Sequence, residues 1–325
     1  MKHLIRFPAV VFLMGISSGL LAQEPVWPVK PIRWLVPFAP GGPADVVSRI
    51  LAAGLAERTG QPNVVENHPG AQGNIAHAAA AKSPPDGHTV LFVVPSVITN
   101  PFYLKASIDP FRDLAPVIHL DSASMVLLAN PSFAPATTAE VLAFVKANPG
   151  KVSCGASGAL PSVGCELLRA HAGADLLMVM YKGNAPALNA LMGGEINLLF
   201  DVVNIAVGHV RGGKVRAIAS TAPRRGMGPL GELPVMAEAI PGFELVTWHG
   251  MMVAPGTPRA LVQRLNREFN ALLQQPEVKN RMESSGLQVT GGPPEDFAAI
   301  LKRDYEKYGA ALRAAGVKPE CPGAS

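Results

Sequence analysis

The sequence predicts an α/β protein built as a clamshell: two lobes, each with a mainly parallel sheet, joined by two chain crossings. Three observations carry this. Strand-like apolar runs alternate with amphipathic helical segments in two separate series. Extended-forming stretches, 114–130 and 215–221, lie where one series gives way to the next. The first strand stops in a Pro/Gly loop, the arrangement that puts a ligand outside the carboxyl ends of a parallel sheet.

Composition narrows the class. With 325 residues, 48% hydrophobic and 16% charged, the chain can bury two cores and is not a disordered protein. A net charge of +4 without any Lys/Arg cluster argues against nucleic acid as a partner. No Cys-x-x-Cys or His-x-x-x-His spacing is present, so no metal and no cofactor are expected.

At the N-terminus Lys2, His3 and Arg6 precede the apolar run 10–21, and Ala22 suits a cleavage position. A signal peptide over 1–22 is therefore expected. The run is too short for a membrane span and no later stretch is long enough. With no Cys at the cleavage point to carry a lipid, the mature chain should start at Gln23 and be free in the periplasm.

In order, the expected elements are a strand at 32–38, a helix at 44–58, a strand at 62–67, a helix at 73–82 and a strand at 89–94. The second series has strands at 125–130, 152–154, 176–181 and 196–201, with helices at 139–147, 162–172, 185–192 and 205–212. A second long crossing strand is expected at 215–221. A strand at 244–254 and three helices complete the chain. Lobe 1 is then 23–120 with 222–325, and lobe 2 is 121–221.

The stretch from Trp34 to Asp45 is the centre of the functional reading. Phe38, Ala39, Pro40, Gly41 and Gly42 form a strand-to-helix loop whose unpaired N–H groups can hold an anion, and glycine lets backbone approach a ligand closely. The same glycines also serve a plain turn. Asp45 either touches the ligand or sits near N3 and caps backbone N–H groups. Other candidates on loops at strand ends are Ser96, Asn100, Ser157, Ser162, Tyr181, Asp201 and Asn204, with turn or helix capping as the alternative use of each. His68 and His249 are single histidines of the kind usually found in structural roles. For Cys154, Cys165 and Cys321 the default expectation is two buried thiols and a tail cysteine, although export permits a Cys154–Cys165 disulfide.

Several ordered motifs point further. Val-Pro-Phe-Ala-Pro-Gly-Gly at 36–42 with Asp45, Glu-Asn-His-Pro-Gly-Ala-Gln-Gly-Asn-Ile at 66–75, and Pro-Asp-Gly-His-Thr at 85–89 are three of them. Tyr181-Lys182-Gly183, Phe200-Asp201, 241–244 and Ala-Pro-Gly-Thr-Pro at 254–258 add to them. Together they resemble the Bug-type (Bordetella uptake gene) solute-binding proteins of tripartite tricarboxylate transporters, over essentially the whole mature chain.

The resemblance implies a periplasmic-binding-protein clamshell (Venus flytrap) that captures a small carboxylated solute and performs no chemistry. It implies a carboxylate held by the first loop through backbone groups and bridging water, with a large and a small membrane subunit as partners of a monomeric binding protein. A partnership with a membrane sensor kinase is the alternative. The chain departs from the pattern at Pro43 and Ala44, where hydroxyl residues are common, at Gln72, where glycine is common, and in the short 155–162 loop. The rival class, an exported hydrolase, lacks support in motif: Gly-Ala-Ser-Gly-Ala at 155–159 is no Gly-x-Ser-x-Gly elbow.

Overall fold

The computed structural model describes residues 27–103, 108–181, 183–226 and 230–314. The expected signal peptide, Lys182 and Cys321 lie outside them. The first lobe begins with β1 (Ile32–Val36), whose Ile32, Trp34, Leu35 and Val36 are buried while Arg33 is exposed. There follow α1 (Pro43–Thr59), β2 (Asn63–Asn67), α2 (Asn74–Ala81), β3 (Thr89–Val93), α3 (Ser96–Tyr103) and β4 (Ala115–Ala129). Pro43 opens α1, where a missing N–H is tolerated, and Gly60 closes it in the left-handed region at φ 70°. β1 pairs in parallel with both β2 and β3.

β4 is shared between two sheets. Its first ten residues pair antiparallel with β9 (Val246–Val253), and its last five pair with β7 (Leu198–Val202) and, over four of them, with β8 (Arg216–Ser220). The second sheet also contains β5 (Ser153–Ala156) and β6 (Leu177–Met180), parallel to each other, with β5 parallel to β7. Its helices are α5 (Ala159–Ala172), α6 (Asn184–Gly193) and α7 (Val203–Arg211), and α4 (Thr138–Ala147) leads into it. The chain ends with α8 (Arg259–Leu273), α9 (Pro276–Ser284), β10 (Gln288–Val289) and α10 (Pro294–Ala314). The order β6-β5-β7-β4-β8 of the second sheet repeats the order β2-β1-β3-β9-β4 of the first.

Each sheet is covered on both faces. On one face of the first, α1 and α8 bury Leu51, Leu55, Leu265, Phe269 and Leu272, and Trp34 meets Phe269 edge-on at 5.5 Å. Each such side chain contributes about 1.5–3 kcal/mol of burial. A second cluster runs through both lobes, with Phe102, Leu127, Phe200, Trp248, Phe297 and Leu312 among its members. α10 packs on α3 and α5, so the lobes share a core on the crossing side.

Several expectations are corrected. β1 ends at Val36, because Pro37 has no N–H for the ladder, and Phe38 falls in the loop. Ser96 and Asn100, expected on a loop, lie in α3, whose Ile98 and Thr99 N–H groups donate to Pro95 O at 3.1 and 3.0 Å. α5 starts three residues early, which moves Ser162 from a loop into a helix, where its hydroxyl back-bonds to Gly158 O at 2.9 Å. The second crossing is not a long strand at 215–221. β8 is five residues within the second sheet, and the return passes through Thr221, whose N–H donates to Met125 O (2.9 Å) and whose carbonyl accepts from Leu245 N–H (3.2 Å). Cys154 and Cys165 are not two thiols but a disulfide, since α5 folds back over β5 and brings their Cα atoms to 6.0 Å.

Candidate functional site

In an open parallel sheet a ligand crevice forms at the carboxyl ends of strands where the order reverses. The order β2-β1-β3 puts that point between β1 and β3, and β6-β5-β7 puts it between β5 and β7. The loops there are 37–42 and the α3 start in lobe 1, and 157–158 and the α7 start in lobe 2.

Lobe 1 supplies a rigid first loop. Ala39, Pro40 and Gly41 are exposed, Phe38 and Gly42 are half-buried, and Phe38 packs on the α1 side of the sheet. Asp45 sits at N3, 4% exposed, and its carboxylate is fully engaged. One oxygen accepts from Gly41 N–H and Arg49 Nε, both at 2.9 Å, and the other accepts from Asn67 Nδ2 at 3.0 Å. Asn67 Nδ2 also donates to Phe38 O at 2.9 Å. The Arg49 bond, opposed by burial and helped by Gly41 and Asn67, holds the Asp45 pKa down at about 2. Asp45 therefore fastens the loop, and it consumes the Gly41 N–H.

What remains free is the α1 start. Gly42 is its N-cap, with no side chain capping it, so the N–H groups of Ala44 and Asp45 face out of the helix end. Gly41 has φ +83°, a conformation that requires glycine, whereas Gly42 has φ −79°. A Cβ at Gly42 would meet only Ala39 O at an ordinary 3.7 Å. A Cβ at Gly42 thus fits without straining the turn.

Beside this loop lies a strained segment in the 67–74 loop, a loop the sequence places at the cleft without singling out Ala71 or Gln72 as site residues. Ala71 and Gln72 both have positive φ, 45° and 51°. Asn100 Nδ2 on α3 holds them by donating to Gln72 O (3.1 Å) and to Asn74 Oδ1 (2.8 Å). Ser96 Oγ, Gln72 Oε1 and Asn100 Oδ1 are buried without a hydrogen-bond partner in the protein. His77 lies beneath, its Nε2 also unpartnered, and burial lowers its pKa to about 4, so the ring is neutral. The only legible signal was the Gln-Gly-Asn run after Gly70, since a side chain in the left-handed region is invisible to periodicity.

In lobe 2, Ser157 is half-buried on the loop and Ser162 is turned into α5, 2% exposed. Tyr181 lies over the end of β5, its N–H donating to Ala156 O at 2.9 Å and its ring edge 3.5 Å from a Cβ built on Gly155. Asp201 is fully buried. One of its oxygens accepts from Val202 N–H (2.7 Å) and from Asn184 Nδ2 at the start of α6, while the other has no partner. Burial, only partly offset by those two donors, raises its pKa to about 6. Asn204, in the first turn of α7, has a buried, unpartnered Oδ1.

The structure therefore gathers Phe38–Gly42 with Asp45, Asn100 with Gln72, and Asn184 with Asp201, sets Tyr181 over the end of β5, and draws Ser162 aside. His249 faces Asp121 across β9 and β4 at 2.8 Å, and Trp248 donates to Asp304 at 2.9 Å, both inside the first sheet. A concavity lined by Lys146, Arg169 and Asp175 is at the far end of α5 from these loops. It belongs to the opposite end of lobe 2.

Comparison with known proteins fits this fold. Residues 47–317 match the tripartite tricarboxylate transporter family receptor, TctC. The protein BugT of Bordetella pertussis is 31% identical, over 97% of this chain and 99% of its own length. Among solved structures, R. palustris Rpa4515 with adipate superposes with a TM-score of 0.80 at 30% identity, covering 90% of this chain and 99% of that one. MatC from Rhodopseudomonas palustris, with bound malate, gives 0.76 at 30% identity, covering 88% and 100%. The chain belongs to the TctC family of periplasmic solute-binding proteins.

Proposed function

We propose that this protein captures a small carboxylated solute between its lobes and delivers it to the large and small membrane subunits of a tripartite tricarboxylate-type transporter. The observation that carries the reading is the uncapped start of α1 behind Gly41 and Gly42, held in shape by Asp45 and free of basic side chains from 37 to 45. Such an end binds a carboxylate through N–H groups and the helix dipole. Because Pro43 and Ala44 bring no hydroxyl, bridging water carries part of the contact. Phe38, Ala39, Pro40, Ser96, Ser157, Tyr181, Asp201 and Asn204 complete the lining, with Ser162 behind the second loop. The lobes are 23–120 with 222–325, and 121–221. Neighbours of known structure bind adipate and malate, which supports the ligand class.

Export follows the same reading, with cleavage after Ala22. Intact-mass measurement of periplasmic material should give a chain starting within a few residues of Gln23; retention of Met1 refutes it. For capture, mass spectrometry of the small molecule released from gently purified protein should identify a carboxylic acid, and that acid should bind one-to-one by calorimetry without turnover. Product formation from an ester or amide, with no saturable carboxylate binding, overturns the reading.

A further inference from the structure

Among the described residues, Asp201 is the one acidic side chain at the lobe 2 switch point, and one of its two oxygens has no hydrogen-bond partner. Its position follows from the topology: it lies one residue from the carboxyl end of β7, beside β5, where the order β6-β5-β7 opens a crevice. It shares a face of β7 with Leu199, the face covered by α6 and α7. Two donors, Val202 N–H and Asn184 Nδ2, converge on a single oxygen, which fixes the plane of the carboxylate and points the second oxygen away from both.

That second oxygen needs a partner. A buried carboxylate oxygen without a donor is costly, because the hydration it gave up is not replaced. Among the described residues no cation pairs with it. β5, β6, the β4 segment 125–129 and α6 carry no charged residue, and His209 and Arg211 of α7 sit in its last turn. Glu195, after α6, adds to the negative side and its field falls on Tyr181. Lobe 1 has the opposite character, with outward N–H groups at α1 and the Ser96 hydroxyl. A solute bridging the lobes is thus asked for an anion at one end and a proton donor at the other.

We propose that Asp201 reads a hydrogen-bond donor on the solute, so that the ligand class is a carboxylic acid bearing a hydroxyl or ammonium group in preference to the bare acid. This rests on the capture reading above. The carboxylate seats on the α1 start, and the donor meets the unpartnered oxygen of Asp201. A bare dicarboxylate would instead set a second negative charge against it, which two buried carboxylates do not tolerate without taking up a proton.

Calorimetry at pH 7.5 on the mature chain with matched pairs tests this: malate against succinate, and 2-hydroxyglutarate against glutarate, with glutamate as the ammonium case. The donor-bearing member of at least one pair should bind about tenfold tighter or more, the worth of one charge-assisted bond. Asp201→Asn should reverse that preference, because the two existing donors hold the amide oxygen and place the amide nitrogen, a donor, where the free oxygen was. Unchanged circular dichroism and a cooperative thermal transition no lower than the parent's show that the variant folds. Equal binding within each pair, or a preference that survives Asp201→Asn, overturns the assignment while leaving carboxylate capture intact. Lys182→Ala is the second variant: if it alone abolishes the discrimination, Lys182 and not the solute satisfies Asp201, and the assignment fails. If no acid in the series binds the parent protein, the capture reading fails with it.

Discussion

Asp45 and Asp201 are both buried at strand–helix junctions, yet their surroundings push them in opposite directions. Asp45 has three donors and is held at about 2; Asp201 has two donors on one oxygen and is raised to about 6. The unfolded chain titrates both at ~3.9. The Asp45 contribution is thus complete above that value and is lost as pH falls towards 2. The Asp201 penalty is complete above pH 6 and is relieved as pH falls from 6 to 4, because there only the folded state keeps the proton. Asp201→Asn should stabilise the unliganded protein by on the order of 1–3 kcal/mol at pH 7.5 and by about a third as much at pH 4.5, read from denaturant midpoints. Asp45→Ala should destabilise by about 2–3 kcal/mol at neutral pH, since it strands the Gly41 N–H and the Asn67 amide. Equal midpoints for Asp45→Ala and the parent would show that the loop does not depend on that anchor. The neighbouring glycines separate strain from contact. Gly41→Ala should cost about 1 kcal/mol for its left-handed backbone, whereas Gly42→Val should leave the unfolding midpoint within about 0.5 kcal/mol and still weaken carboxylate binding by crowding the α1 start.

At the level of elements, the loops of the site are held by unusual means. The β5–α5 connection is enclosed by the Cys154–Cys165 disulfide, eleven residues apart, so the chain that carries Ser157 is stapled at both ends. The double substitution Cys154→Ala with Cys165→Ala should lower stability by about 2–3 kcal/mol, the loop-entropy value for so short a ring. Reductant should shift the parent's denaturation midpoint and leave the double variant unmoved. On the lobe 1 side, the left-handed Ala71 and Gln72 are held by Asn100. Replacing Gln72 by Gly should relieve about 1 kcal/mol of that strain. If the same change raises stability and lowers ligand affinity together, the strain serves binding; a gain in stability with affinity untouched assigns Gln72 to the loop alone.

For the whole molecule, the mechanical question is how two lobes that share a core can close. β4 runs through both sheets, and Thr221 joins its switch residue Met125 to Leu245 just before β9. Closure is therefore expected to pivot about Met125, Thr221 and Leu245, with the α10–α5 contact as a fulcrum. A solute touching both lobes favours the closed form because only that form makes both sets of contacts. Small-angle scattering should show a smaller radius of gyration at saturating ligand; an unchanged radius counts against a site shared by two lobes.

Much of this organisation was legible in the chain. Alternation of apolar and polar residues set out the two βα series, the Pro/Gly run at 40–43 marked the first loop, and the spacing from Gly42 placed Asp45 near N3. These are local consequences of backbone chemistry, in which each residue constrains only its near neighbours. The remainder depended on contacts between residues far apart in the chain. Nothing near residue 250 announces that β9 inserts between β3 and β4, and nothing near Val215 shows that β8 stays within the second sheet. Asn67 reaching Asp45, Asn100 reaching Gln72, and Asn184 leaving one oxygen of Asp201 bare are likewise set by which loops the sheets bring together. Strand order is decided by long-range pairing, so the identity of each partner, and hence the chemistry of the cleft, exists only once the sheets have formed.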